Sequence, residues 1–169
     1  IDSTNVINPE LAIITNVAMD HMAYLGDTIE KIAAVKAGII KPQIPVITGA
    51  KNEKALNIIK DRALKNNSPF FALSKQLNWS NRRLIDGMQI FDSVIDGQVY
   101  HNLAVSLLGE HQIDNAVLAV AAAHNLGISE QAIKEGLLKT KWPGRLEIIS
   151  KNPLVVLDGA HNEDGIRAL

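Results

Sequence analysis

Three short apolar runs alternate with amphipathic stretches along the first half of the chain. The runs cover residues 11–17, which are continuously apolar up to Thr15, residues 46–48 and residues 70–73. Continuous apolar runs of this length are typical of strands covered on both faces. Between them, residues 28–37 and 53–66 carry apolar side chains at helical spacing. Strands that alternate with helices predict an α/β fold with a mostly parallel sheet, flanking helices and right-handed crossovers.

Local signals set the expected limits of these helices. Thr28 and Asn52 precede the two amphipathic stretches and are residue types that cap helix N-termini, and Glu30 lies in the first turn of the first helix. Gly38 follows that helix, so we expect it to end the helix in a left-handed conformation. Asn66 begins the turn that should end the second helix.

The pattern changes after residue 75. Residues 88–95 and 98–105 predict two strands, and Asp96-Gly97 between them predicts a type I′ turn. Residues 112–125 follow as a helix that is apolar on nearly every side and should therefore be largely buried.

Gly127 should end that helix, and Ser129 should cap a shorter one that runs to about residue 138. After a break at residues 141–144, the α/β pattern begins again. It continues with a strand at 146–150, a buried strand at 154–157, a polar loop and a helix from about Glu163. We therefore predict one domain over residues 1–140 and the start of a second, Rossmann-like α/β domain over 141–169.

Composition narrows the classes of function. Hydrophobic residues form 47% of the 169 positions and aromatic residues only 4%, so the core should be aliphatic. The 17 basic and 18 acidic residues nearly cancel, without a basic run, which argues against a nucleic-acid partner. No apolar run reaches the roughly 18 residues of a membrane span. Cysteine is absent, which excludes disulfides and thiolate chemistry and fits a cytoplasmic location.

Both ends of the sequence suggest an internal piece of a longer protein. Ile1 is not a natural start, and Leu169 lies in what resembles the first turns of a helix. We expect further sequence on both sides.

His21 is a candidate metal or phosphate ligand. It follows the first predicted strand, at the sheet edge where α/β proteins bind ligands, with Asp20 beside it and Asn16 in the same loop. Imidazole and oxygen ligands suit Mg²⁺ or Mn²⁺ near phosphates. Asp20 could instead orient the imidazole, and a purely structural histidine is the alternative.

Lys36 lies near the end of the first helix, with Ala33 and Ala37 among its neighbours. A cation there stabilises the helix dipole by roughly 0.3–1 kcal/mol, which is one interpretation. The other is that apolar surroundings favour the neutral amine, which is nucleophilic and can take up CO₂ as a carbamate.

Four positions in the second half are candidate nucleotide contacts. Asn115 could cap the long helix or hydrogen-bond to a base, and Arg145 could be solvated or hold a phosphate. Asp158 and His161 lie in a polar loop between a strand and a helix, where Gly159 permits close approach of the backbone to a ligand. A simple strand–helix turn is the alternative for that loop.

Taken together, these segments resemble the folylpolyglutamate synthase / dihydrofolate synthase family within the Mur ligase superfamily. The matching motifs occur in the family's order: Ile-Thr-Asn at 14–16, Asp-His at 20–21, Leu-Gly-Asp-Thr at 25–28, Lys-Ala-Gly-Ile-Ile-Lys at 36–41, Gly-Glu-His-Gln at 109–112, Asn-Ala at 115–116, Trp-Pro-Gly-Arg-Leu-Glu at 142–147 and Asp-Gly-Ala-His-Asn at 158–162, preceded by Asp-Ser-Thr-Asn at 2–5.

The resemblance implies a two-domain, Mur-ligase-like enzyme in which ATP phosphorylates a substrate carboxylate and L-glutamate attacks the acyl phosphate. Residues 1–140 would be the C-terminal part of its ATP-binding central domain, and residues 141–169 the start of its ligase C-terminal domain. His21 would bind Mg²⁺, and Lys36 would be the carbamylated lysine. The positions implied for ATP are Asn115, Arg145, Asp158 and His161.

The same resemblance implies that Ile1, Asp2 and Ser3 contact the pterin of dihydropteroate or folate, with Ser3 where alanine is common. It implies small-molecule substrates and a parent enzyme that is monomeric. The glycine-rich phosphate loop of the family is missing from this sequence, so we expect the chain alone not to turn over ATP.

Three alternatives stay open from the sequence. One is a ligase of the same superfamily that acts on cell-wall precursors, although the motifs at 2–5 and 142–145 favour the folate branch. Another is a non-catalytic nucleotide-binding or interaction module. The third is a metal-dependent hydrolase built on His21 and His161.

Overall fold

The computed structural model of this chain describes residues 3–19, 26–73, 75–161 and 163–167. It divides into two units, Ile1–Leu77 and Asn78–Leu169. The predicted domain boundary near residue 141 stays a prediction.

The first unit contains a parallel three-stranded sheet. Its strands are β1 (Ala12–Ile14), β2 (Val46–Thr48) and β3 (Phe70–Ala72), in the order β1-β2-β3. β1 pairs in parallel with β2, and β2 with β3. The alternation of strand and helix in the sequence therefore predicted this sheet correctly.

Two helices connect these strands, α1 (Ile29–Lys36) and α2 (Glu53–Lys65). Thr28 caps α1, its side chain accepting a hydrogen bond from the Lys31 N–H at 3.2 Å. Asn52 caps α2 by accepting from two backbone N–H groups of the first turn. Both predicted N-caps are confirmed, as is the end of α2 near residue 66.

Gly38 does not end α1 in a left-handed conformation, so that prediction is wrong. A 3-10 helix, Ala37–Ile39, follows α1 directly, and Gly38 lies inside it. The Ala37 N–H donates to the Ala33 and Val35 carbonyls, and the Ile40 N–H donates to the Ala37 carbonyl. Because the chain stays right-handed and leaves through an extended residue 40, no left-handed residue is needed.

The core of the first unit lies between the sheet and its helices and is aliphatic, as the composition predicted. It includes Ile14, Ile32 and Ile59, which are all at most 3% exposed. The expectation that every strand is covered on both faces is wrong for β1, where Ile13 is 37% exposed. β1 lies at the edge of the three-stranded sheet, and the Ile13 side faces a pocket.

The second unit begins with a three-stranded sheet, which β4 (Leu77–Ile85), β5 (Met88–Ile95) and β6 (Gln98–Val105) form in that order. β5 and β6 form the predicted hairpin. Asp96 and Gly97 have φ angles of 48° and 84°, as a type I′ turn requires.

β4 (Leu77–Ile85) was not predicted. Most of its residues are polar and exposed, so it lacks the alternation of a half-buried strand. A second Asp-Gly pair nevertheless joins it to β5, and Asp86 and Gly87 have φ angles of 50° and 78°. That dipeptide was the available signal for a second hairpin.

The helices of the second unit match their predictions. They are α3 (Glu110–Asn125), α4 (Glu130–Lys139) and α5 (Glu163–Arg167). α3 buries seven of its residues, in line with its apolar sequence. Gly127 follows α3 with a φ of 72°, and Ser129 caps α4 by accepting from the Ala132 N–H.

A two-stranded antiparallel sheet, β7 (Glu147–Lys151) and β8 (Leu154–Leu157), precedes α5. The prediction that β8 is buried is wrong, because its four residues are 44–68% exposed. β8 pairs only with β7, and no described element covers its apolar side chains. Among the described residues, no helix is long and apolar enough to cross a membrane.

Candidate functional site

Lys36 is fixed to the loop that follows β1. Its Nζ donates a hydrogen bond of 2.9 Å to the Asn16 carbonyl, across twenty residues of sequence. The side chain is half-buried at the end of α1. Thus the lysine points back to the carboxyl end of a strand, the edge where parallel sheets bind ligands.

Lys36 lines an apolar pocket of about 600 Å³. Its apolar lining includes Ile13, Ala34, Val35 and Ile39, and its polar groups come from Asn5, Thr15, Asn16 and Lys36. An apolar wall with a few polar groups is typical of a site for an organic small molecule.

Thr48 fixes the strand end next to this pocket. Its hydroxyl donates to the Ile14 carbonyl at 3.0 Å and accepts from the Ala50 N–H at 3.1 Å, and the residue is fully buried. Sequence reasoning missed this role, although a hydroxyl residue that ends an apolar strand was a visible signal.

The segment that includes Ser3 is tied to the same region. Ser3–Val6 form a 3-10 helix, and the Lys41 Nζ donates to the Asn5 carbonyl at 2.7 Å. Ile1 and Asp2 lie outside the described residues, and so do Asp20 and His21. The predicted roles of these four residues stay predictions.

Asp158 organises the second group of predicted residues, which lies in the second unit. One carboxylate oxygen accepts from the Leu146 N–H at 2.8 Å, and the other accepts from the Ala160 N–H at 2.7 Å. The bond from Leu146 is the main cause that lowers the pKa of Asp158; the Ala160 N–H, Arg145 and His111 act in the same direction, and partial burial opposes them. Asp158 is therefore held as a carboxylate.

Further hydrogen bonds join the loop after β8 to the segment before β7. The Gly159 N–H donates to the Gly144 carbonyl at 2.8 Å, and the Gly144 N–H donates to a Glu147 carboxylate oxygen at 2.7 Å. A Cβ at Gly159 would lie 3.9 Å from Nη1 of Arg145, so the guanidinium lies beside the loop. The sequence indicated Arg145 as a candidate but not Glu147, whose carboxylate holds the turn that precedes Arg145.

α3 contributes the remaining side chains. Gly109 is its N-cap, and the His111 ring packs against this glycine, where a Cβ would lie only 2.6 Å from the ring. Asn115 is exposed in the second turn, so it does not cap the helix. Its amide donates to the Gln112 side chain at 3.3 Å, which leaves the carboxamide oxygen available to a ligand.

His161 completes this group on the loop after β8. Its Nδ1 lies 3.0 Å from the Gly159 carbonyl, and the ring is exposed. The structure thus brings Arg145, Asp158 and His161 together, with His111 linking them electrostatically to α3. An arginine and two imidazoles around one loop suit an anionic ligand.

The described part of the chain contains no group of three or more His, Asp or Glu side chains that could hold a metal ion. His161 therefore has no partners there for the metal-dependent hydrolase considered from the sequence, and the predicted ligand His21 is not described.

Comparison with known families gives one match that covers most of the chain. Residues 2–123 match the Mur ligase middle domain. The sequence is 41% identical over 174 residues to the dihydrofolate synthase/folylpolyglutamate synthase of Bacillus subtilis, which covers 99% of this chain and 40% of that protein. It is 38% identical over 175 residues to the folylpolyglutamate synthase of Lacticaseibacillus casei, again with 99% of this chain and 41% of that protein.

Solved structures give the same result. A complex of folylpolyglutamate synthase (FPGS) with AMPPCP and folate superposes with a TM-score of 0.93 and 37% identity, over 99% of this chain and 42% of that one. The Mycobacterium tuberculosis enzyme complexed with ADP and AMPPCP gives a TM-score of 0.91 and 33% identity, over 99% and 39%. The chain therefore spans about two fifths of the length of the relatives it matches.

Proposed function

The chain belongs to the Mur ligase family, and from this premise we propose that it is part of an ATP-dependent amide ligase. The complete enzyme would join L-glutamate to a carboxylate of dihydropteroate or of a folate. The names of the relatives, dihydrofolate synthase and folylpolyglutamate synthase, support this substrate class.

The arrangement around Asp158 is the observation that carries the proposal. A carboxylate anchored by two backbone N–H groups fixes both the segment that bears Arg145 and the loop that bears His161. A related FPGS structure of high similarity holds the ATP analogue AMPPCP. We therefore assign Arg145, Asp158 and His161, together with Asn115 on α3, to ATP binding.

The proposed reaction has two steps. A carboxylate oxygen of the folate substrate attacks the γ-phosphorus of ATP, the bond to the bridging oxygen breaks, and ADP leaves. The amine of L-glutamate then attacks the acyl carbon, phosphate leaves, and the ammonium proton passes to solvent or base. Arg145 would stabilise negative charge on the transferring phosphoryl group.

Lys36 would supply a fixed anionic group. Its neutral amine attacks CO₂ and loses a proton, which gives a carbamate in place of a cation. The hydrogen bond of Nζ to the Asn16 carbonyl and the apolar pocket around it support this role, because they hold the nitrogen at the sheet edge.

Mg²⁺ belongs to the proposal through His21, the ligand that the family resemblance implies. The described residues offer no three-ligand group, so none of the steps above is assigned to the metal. When bound, Mg²⁺ would neutralise phosphate charge.

The apolar pocket beside Lys36 and the 3-10 helix at Ser3–Val6 support a pterin-binding role for Ile1, Asp2 and Ser3. We further propose that residues 1–140 belong to the ATP-binding central domain and residues 141–169 to the ligase C-terminal domain of a monomeric, cytoplasmic enzyme. The lack of cysteine fits that location.

The test is an assay of ADP release by the complete enzyme with Mg-ATP and L-glutamate. We expect release to depend on dihydropteroate or a reduced folate. Release that instead depends on a UDP-muramoyl substrate would move the enzyme to the cell-wall branch. Nucleotide binding without turnover on either substrate would favour a non-catalytic module. The 169-residue chain alone should release no phosphate.

A further inference from the structure

Gln89 is a polar side chain in the core of the second unit. It lies on β5 and is fully buried. Its side-chain Nε2 donates to the Leu107 carbonyl at 2.7 Å and to the Gly109 carbonyl at 2.9 Å. One amide thus holds both ends of the three-residue segment that leads into α3.

The oxygen of this amide, Oε1, is buried and accepts no hydrogen bond from the described residues. An unpaired buried acceptor costs free energy that an apolar residue of similar size would avoid. The two bonds that its amide donates to backbone carbonyls are therefore what accounts for a glutamine at this position.

One of the two bonds from Gln89 holds a glycine with an unusual backbone conformation. Gly109 has a φ of 98° and a ψ of 149°, a conformation that side chains strongly disfavour, and it is the N-cap of α3. Its carbonyl also accepts the Gln112 N–H at 3.1 Å, which begins the helix. Because Gln89 and the first turn share this carbonyl, Gln89 fixes where α3 starts.

The start of α3 carries Asn115, which is assigned above to ATP binding, and His111, which acts electrostatically on Asp158. His111 packs against Gly109 and contributes to the lowered pKa of Asp158. Asn115 lies one turn further along the same helix. A shift of the helix start would move both relative to Arg145 and Asp158.

We propose that Gln89 is a positioning residue for nucleotide binding: its buried amide sets the register of the first turn of α3, and with it His111 and Asn115. The proposal rests on the proposed ATP site. It assigns Gln89 no contact with the nucleotide.

Gln89→Met and Ser93→Ala form a matched pair for the test. Ser93 is also a buried polar residue on β5, and its hydroxyl donates to the Asn78 carbonyl of β4 at 2.9 Å rather than to the segment before α3. Methionine fills the volume of glutamine but donates nothing. In the complete ligase, we expect Gln89→Met to weaken AMPPCP binding in calorimetry about tenfold and to leave the KM for the folate unchanged. Ser93→Ala should leave AMPPCP affinity within twofold of wild type.

A third variant, Gln89→Glu, separates positioning from packing. A protonated glutamic acid can donate one hydrogen bond, so its AMPPCP affinity should lie between those of wild type and Gln89→Met. If Gln89→Met does not fold, the AMPPCP affinity of Gln89→Glu tests the proposal instead. Wild-type AMPPCP affinity in the folded Gln89→Met or Gln89→Glu protein would overturn the proposal.

Amide hydrogen exchange makes the test independent of the ATP assignment. Gln89→Met should raise exchange at Gln112 and Ile113 at least tenfold, with β6 unchanged. If the wild-type enzyme binds no AMPPCP but exchange changes in this way, the ATP assignment fails and the positioning of α3 stands. Unchanged exchange at the start of α3 would overturn the positioning role itself.

Discussion

The Asp158 carboxylate accepts a 2.8 Å hydrogen bond from the backbone N–H of Leu146, twelve residues earlier in the chain. Leu146 has a φ of 46°, in the left-handed region that leucine rarely adopts. The bond therefore holds a strained residue next to Arg145. This relationship explains how an acidic side chain can shape a site for an anionic ligand.

Asp158→Asn should weaken nucleotide binding by the complete enzyme about tenfold. An asparagine has one carbonyl oxygen, so its NH₂ group would face one of the two N–H donors that the carboxylate now accepts. Calorimetry with AMPPCP measures the loss. Asp61→Asn, on the exposed face of α2, makes the same charge change and should have no effect. Equal affinities for both variants would remove Asp158 from the site.

The lowered pKa of Asp158 makes stability depend on pH. Because the ordinary value is near 3.8 and the folded value is lower, the carboxylate contributes its full stabilisation above about pH 5. That contribution is lost as the pH falls through the folded pKa. Urea unfolding of wild type and Asp158→Asn should show a constant difference in the free energy of unfolding above about pH 5 and a shrinking one below about pH 4. A difference that stays constant as the pH falls below about 4 would contradict the lowered pKa.

Gly109→Ala should destabilise the chain by about 1–3 kcal/mol. Its φ of 98° disfavours any side chain, and the new Cβ would lie 2.6 Å from the His111 ring. Gly136→Ala is the matched control, because this glycine is inside α4 with nothing within 4 Å of the added Cβ. It should stabilise the chain by roughly 0.5–1 kcal/mol. Denaturant unfolding measures both, and the same sign for both variants would contradict the account.

Lys36→Ala should lower the kcat of the complete enzyme far more than its affinity for AMPPCP, since the proposed carbamate serves the chemical step. Lys31→Ala is the control on the same helix, where Lys31 forms an exposed ion pair with Asp27 at 2.8 Å. With carbon-13 bicarbonate, wild type and Lys31→Ala should show a carbamate signal in NMR that Lys36→Ala lacks. Parallel losses of kcat and affinity in Lys36→Ala would argue against the role.

The first unit was predictable from the sequence because its signals are local. Apolar runs and capping residues marked the strands and helices, and the caps Thr28 and Asn52 form as predicted. The errors arose where tertiary contacts decide. Gly38 lies in a 3-10 helix, Ala37–Ile39, that continues from α1. β8 is apolar yet exposed because β7 is the one described strand with which it pairs.

The sequence identified candidate side chains in each unit, but not the groups to which they are hydrogen-bonded. Lys36 was a candidate because it lies near a helix end, Arg145 because it follows the break at 141–144, and Asp158 because it lies between a strand and a helix. Their contacts are backbone groups, such as the Asn16 carbonyl and the Leu146 N–H, which no residue type signals. Gln89 was missed for a similar reason, because its burial and its two carbonyl partners exist only in the folded unit.

The central claim is ligation through an acyl phosphate, and oxygen-18 transfer tests it most directly. The complete enzyme would be given Mg-ATP, L-glutamate and dihydropteroate or a reduced folate labelled with oxygen-18 in its carboxylates. If a carboxylate oxygen attacks ATP, it leaves with phosphate when the amide forms. We predict phosphate that carries one labelled oxygen for each amide formed, and amide formation with unlabelled phosphate would contradict the account.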